Sequence, residues 1–166
     1  MPPAKGQSIL IGALAYTVLS VLTTVLVFNS GAGMSAGMLG CLVMFVASIV
    51  AVWHYTNTHR LTLTAGQGAG LGVAATLLGL LFAFGIGLLL QTLGVTPSTE
   101  EIMEMQRAEM VNSGMPEEQI DSAMAMGERF SSPLMSLVFG IPMAAIAGAI
   151  GGAISSMVFK KGERVA

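Results

Sequence analysis

The residues able to do chemistry are few, and most lie at the margins of long apolar runs. Met103-Glu104-Met105 and Met124-Ala125-Met126 are M-x-M pairs with Met110 and Met115 nearby, and thioether clusters suit Cu(I). No Cys or His stands beside them and the chain holds 13 methionines. The expected role is therefore that of a flexible apolar filler, and no metal is assigned. His54 and His59 stand at the polar end of an apolar run beside Trp53 and Tyr55. A haem ligand would sit deeper in a bundle, so both histidines are expected to be solvated at an interface, with Trp53 and Tyr55 as an aromatic anchor. The single Cys41 excludes an internal disulfide and reads as a small buried packing residue.

Glycine alternates through Ala65-Gly66-Gln67-Gly68-Ala69-Gly70-Leu71-Gly72, as it does in loops that cradle phosphate. No strand precedes the stretch and no Lys-Ser/Thr pair follows it. Placed on a helix, Gly66 with Gly70 and Gly68 with Gly72 form two overlapping G-x-x-x-G pairs, a face for close packing. In the last apolar run Gly140, Ala144, Gly148, Gly152 and Ser156 recur at every fourth position. On a helix they share one slowly drifting face where another backbone can come close. None of these side chains can act as acid, base or nucleophile. There is no H-E-x-x-H, no C-x-x-C, no Ser/His/Asp set on one side of a membrane and no basic nucleic-acid patch. Catalytic residues, cofactors and nucleic-acid partners are all expected to be absent.

The elements that carry these residues follow from composition. The 166-residue chain is 54% hydrophobic and 10% charged, with mean hydropathy +0.78, whereas about a quarter of residues are charged in a typical soluble protein. The apolar residues gather into runs long enough for a hydrocarbon core about 30 Å thick. The expectation is an all-α polytopic membrane protein forming a single membrane domain, 1–166. Its four transmembrane helices are placed at about 8–28, 34–55, 68–93 and 133–159. The run behind Lys5 exceeds a signal-peptide h-region and meets no clear A-x-A site, so it is taken as an uncleaved span. Asn29 to Gly33 is an uncharged turn, and Asn57 to Arg60 a short polar loop.

Residues 96–132 differ in character, for they contain every acid of the chain except Glu163, against only Arg107 and Arg129. Ser98 and Glu101 have capping-box spacing, which starts a helix at Thr99. Asn112-Ser113-Gly114 should stop it. Pro116, followed by Glu117 and Glu118, opens a second helix. Its apolar members Ile120, Ala123, Met124, Met126 and Phe130 fill one arc. The segment is thus expected to be a helical hairpin whose dry face docks on the bundle or on another subunit.

Lys5, Arg60, Lys160, Lys161 and Arg164 lie at the termini and in the second loop. With four spans they share one side, which positive-inside bias makes cytoplasmic, leaving the hairpin outside. No Asp, Glu, Lys or Arg lies well inside a span, which argues against a pump or an ion-coupled carrier.

Three stretches carry a resemblance: Thr62-Leu63-Thr64-Ala65-Gly66-Gln67-Gly68 leading to Gly72, Val111 to Ile120 across Asn112-Ser113-Gly114-Met115-Pro116, and Ser132-Pro133 ahead of the last run. In them the chain resembles a widespread bacterial family of small four-helix membrane proteins classed only as a domain of unknown function. The resemblance implies the fold and the topology, in a bacterial inner membrane, and carries no activity. The expected function is that of a non-catalytic structural or accessory subunit, packed through its small-residue faces against membrane lipid, its own copies or other membrane proteins. The alternative is a small channel or carrier for an uncharged or lipid-like solute.

Overall fold

The computed structural model describes residues 4–30, 35–130, 132–160 and 162. The uncharged turn around Gly31 to Gly33, the cations Lys161 and Arg164, and the side chains of Arg129 and Phe130 lie outside the described residues. Helices α1 (Gly6–Ser30), α2 (Ser35–His59), α3 (Ala65–Thr92) and α6 (Pro133–Val158) are long and apolar enough to cross a membrane. The shorter α4 (Thr99–Asn112) and α5 (Glu117–Phe130) connect α3 to α6. Among the described residues the fold is all-helical. In hydrocarbon each backbone N–H and C=O must be satisfied within its own segment, and uninterrupted helix does this.

Local chemistry sets the helix ends. Ser98 closes the expected capping box at α4: its hydroxyl accepts from the Glu101 N–H at 3.2 Å, and the Glu101 carboxylate accepts from the Ser98 N–H at 2.7 Å. At the other end Gly114 takes a left-handed φ of 74°. There the Met115 and Gly114 N–H groups donate to the Met110 and Val111 carbonyls, the paired bonds of a Schellman stop. Gly94, with φ 69°, ends α3 by the same device.

Two boundaries differ from expectation by three residues or more. Helix α3 starts at Ala65 rather than at 68, because Thr64 and Gln67 form a second capping box. Helix α2 continues to His59, past the expected end at Tyr55, and stops where Arg60 takes a left-handed φ of 51°. The extra turn draws Tyr55 into the bundle.

Helix α3 packs on α1 and α6, and α2 packs on α1, α6 and α3. One core cluster joins Ala51, Val52 and Tyr55 of α2 to Leu71 and Ala75 of α3, closed by Leu63 from the connecting loop with Ile9, Leu61 and Phe159 around it. A second joins Tyr16 of α1 to Val43 and Ala47 of α2. Outward, Leu10, Leu14, Val18, Leu22 and Leu26 of α1 and Ile146, Ile150 and Ile154 of α6 are exposed at helical spacing. That is the apolar coat of a protein whose solvent is lipid, and Cys41, expected to be buried, is exposed on it. Helices α4 and α5 pack chiefly on each other.

Candidate functional site

The most constrained part of the molecule is the crossing of α3 and α6. A methyl added at Gly72 would fall on the Gly148 carbonyl and lie 3.0 Å from the Gly152 Cα. One added at Gly148 would meet the Thr76 hydroxyl and stand 2.8 Å from the Gly72 oxygen. At Gly68 it would meet the Gly152 carbonyl at 2.5 Å and Ser156 Cβ at 2.6 Å. The two backbones therefore touch over successive turns, with no room between them for a side chain. Thr76 Oγ1 lies 2.9 Å from the Ala144 carbonyl across the crossing and 3.0 Å from the Gly72 carbonyl of its own helix. Its one proton is thus given either across the interface or back along α3.

The stripe on α6 turns inward. Ala144, Gly148, Gly152 and Ser156 are buried, and Gly140 is half-buried, where an added methyl would stand 3.4 Å from the Leu80 side chain. A second small face, Ala147, Gly151 and Ser155, is buried as well, with Gly151 set against Ser48 and Phe45 of α2. Ser155 donates to the Gly151 carbonyl at 2.6 Å and Ser48 to the Phe45 carbonyl at 2.8 Å. Sequence reasoning passed over this second face, although its four-residue spacing is as regular as that of the first.

The overlapping glycine pairs of α3 part company. Gly68 and Gly72 form the crossing, whereas nothing lies within 4 Å of a methyl built at Gly66 or Gly70. Within the chain, then, only Gly68 and Gly72 of the four pack against another helix. With 100° between residues, positions two apart face nearly opposite ways, and α6 can cover only one pair. Two turns beyond Gly72 on α3, Gly79 lies against Tyr16 of α1, and Thr17 donates to the Ala13 carbonyl at 2.8 Å.

At the end carrying Lys5, Arg60 and Lys160 the loop after α2 is stitched to the chain beyond α6. Thr62 Oγ1 donates to the Gly162 carbonyl at 3.0 Å. Ser8, buried on α1, shares a hydrogen bond with His54 Nδ1 at 2.9 Å, and the rings of His59 and Tyr55 meet edge to face at 4.9 Å. His54 is thus a half-buried helix-to-helix contact, with its Nε2 3.5 Å from Thr58 Oγ1 on the exposed side. Tyr55 is fully buried, so Trp53, 46% exposed, is left as the lipid-facing aromatic of that pair. A shallow cleft of about 240 Å³ lies between Thr62 to Ala65 and Ser156, Met157 and Lys160.

In the hairpin, Ile120 is buried at 3% exposure, and Arg107 meets Asp121 at 3.5 Å with both side chains largely exposed. A pair so solvated adds little stability. The expected docking face does not act as one surface within the chain. Ile120 is buried and Met124 half-buried, but Ala123 and Met126 are exposed, and Phe130 lies outside the described side chains. Ile102, Met105 and Met115 are exposed beside them.

One motif escaped the sequence reading. Gly33-Met34-Ser35-Ala36-Gly37 has the G-x-S-x-G spacing of a nucleophile elbow, which requires a strand running into the serine. Here α1 precedes it, and Ser35 opens α2 while both histidines lie toward the other end of that helix. A helix of that length separates Ser35 from His59 by roughly 36 Å, so the motif has no base from His54 or His59.

Residues 9–161 match the family model described as a protein of unknown function (DUF4199). The chain belongs to the DUF4199 family. No curated protein and no solved structure matches it. The match spans all four long helices and the hairpin of this DUF4199 chain, so one family unit contains both the α3–α6 crossing and the exposed hairpin.

Proposed function

We propose that this DUF4199 protein is a non-catalytic structural or accessory subunit of a membrane assembly, docking its partner through the α4–α5 hairpin. One observation carries the proposal: the small-residue faces of α6 are consumed inside the chain, while the hairpin packs chiefly on itself and presents Ile102, Met105 and Met126 outward. The glycines hold the anchor rigid, and the hairpin offers the surface. The buried hydroxyls of Thr17, Ser48, Thr56, Thr76 and Ser155 each bond a backbone carbonyl, a structural use that supports the non-catalytic reading. Lys5, Arg60 and Lys160 at one end and the acids of the hairpin at the other support a bacterial inner-membrane protein with both termini cytoplasmic.

The test is copurification of a tagged chain from native membranes in mild detergent, with the parent compared to an Ile102→Glu, Met126→Glu double variant. A fixed partner retained by the parent and lost by the variant supports the proposal, provided the variant keeps its helical circular dichroism. Recovery of the parent without any partner, together with solute movement by the reconstituted chain alone, replaces it with the carrier reading.

A further inference from the structure

We infer that α6 is hinged at Gly140 to Pro142, so that the arm bearing the hairpin swings on a fixed base. Pro142 lies inside α6. It has no N–H to give the Val138 carbonyl, and its ring crowds that carbonyl, which weakens the helix at this level.

Packing changes at the same height. Toward the C-terminal end, α6 is buried at Ala144, Ala147, Gly148, Gly151, Gly152, Ser155 and Ser156; between Leu134 and Met143 only Leu137 and Gly140 are even half-covered. On α3 the last buried residue is Gly79, and Leu80, its neighbour, is the side chain that a methyl added at Gly140 would touch. Beyond that level Leu81, Phe82, Ile86, Leu88 and Leu89 are exposed. The backbone contacts and the Thr76 bond that lock α3 to α6 all lie on the base side. Among the described residues these backbone contacts do not continue above Pro142, where α6 is joined through the hairpin to the outer part of α3. A flexure of about 20°, the scale of proline kinks, carried over the roughly 12 Å of helix from Pro142 to Leu134, displaces Leu134 by about 4 Å.

Pairs of spin labels on the full chain in lipid, with Cys41→Ser as background, test this. The outer pair is Leu26→Cys on α1 with Leu134→Cys on α6, and the inner pair is Leu10→Cys with Ile154→Cys; all four parent residues are exposed. The expected result is an outer distance distribution about 4 Å wider than the inner one, narrowing to the inner width when Pro142→Ala restores the missing donor. Pro142 is exposed, so the variant should fold, which circular dichroism checks. An outer distribution as narrow as the inner one in the parent overturns the inference, and so does an outer width that Pro142→Ala leaves unchanged.

Discussion

Replacing Gly148 by alanine tests whether α3 and α6 are locked backbone to backbone. The added methyl would stand 2.8 Å from the Gly72 oxygen and 3.0 Å from its carbonyl carbon, and would also meet the Thr76 hydroxyl. Comfortable carbon contacts lie at about 3.5–4.0 Å, so the helices must part by roughly 0.5–1 Å. A gap of that size forfeits about a quarter to a half of the attraction at each contact along the crossing. It also stretches the 2.9 Å Thr76 to Ala144 bond to about 3.4–3.9 Å, beyond useful hydrogen-bond length. Overpacking costs about 1–3 kcal/mol, and an interhelical hydrogen bond in a membrane contributes about 0.6 kcal/mol. Together they predict a loss of about 1.5–3.5 kcal/mol, and more for Gly148→Leu. The assay is reversible unfolding of the monomer in mixed micelles, with Gly70→Ala as the matched control, because a methyl at Gly70 meets nothing. Gly70→Ala should stay within about 0.5 kcal/mol of the parent or gain from helix propensity. If Gly148→Ala is as stable as Gly70→Ala, the crossing is looser than described and the glycine stripe is only compositional.

Four further outcomes are expected. Gly114→Ala places a side chain at φ 74° and should cost the hairpin about 1 kcal/mol, seen as faster amide exchange across α4 and α5. Ile120→Ala should cost about 2–4 kcal/mol by emptying a buried site, while Ala123→Ser on the exposed side leaves exchange unchanged. Thr64→Ala removes the hydroxyl that accepts from the Gln67 N–H at 3.3 Å and should lower bundle stability by about 1 kcal/mol in the same micelle assay. In a Cys41→Ser background, an impermeant thiol reagent outside intact cells should label Ser113→Cys and spare Ala4→Cys; the reverse pattern would invert the topology.

Much of this molecule is legible locally. Four apolar runs must be helices, because lipid offers no partner to a backbone group. Ser98 with Glu101 starts α4 and Gly114 stops it through bonds among residues a few positions apart, so spacing alone places them. The Thr64 to Gln67 box was equally local and was hidden only by the glycines around it. What needed tertiary structure is the choice among equivalent local options. Gly66 with Gly70 and Gly68 with Gly72 are the same motif in sequence, yet only the second pair faces α6, and that depends on the rotation of one helix against another. Tyr55 looks like an interfacial anchor beside Trp53, but one further turn of α2 and the loop residue Leu63 enclose it. Helix formation is decided within a segment, whereas the face a helix turns inward is decided by which neighbour can come closest, and no single segment holds that information.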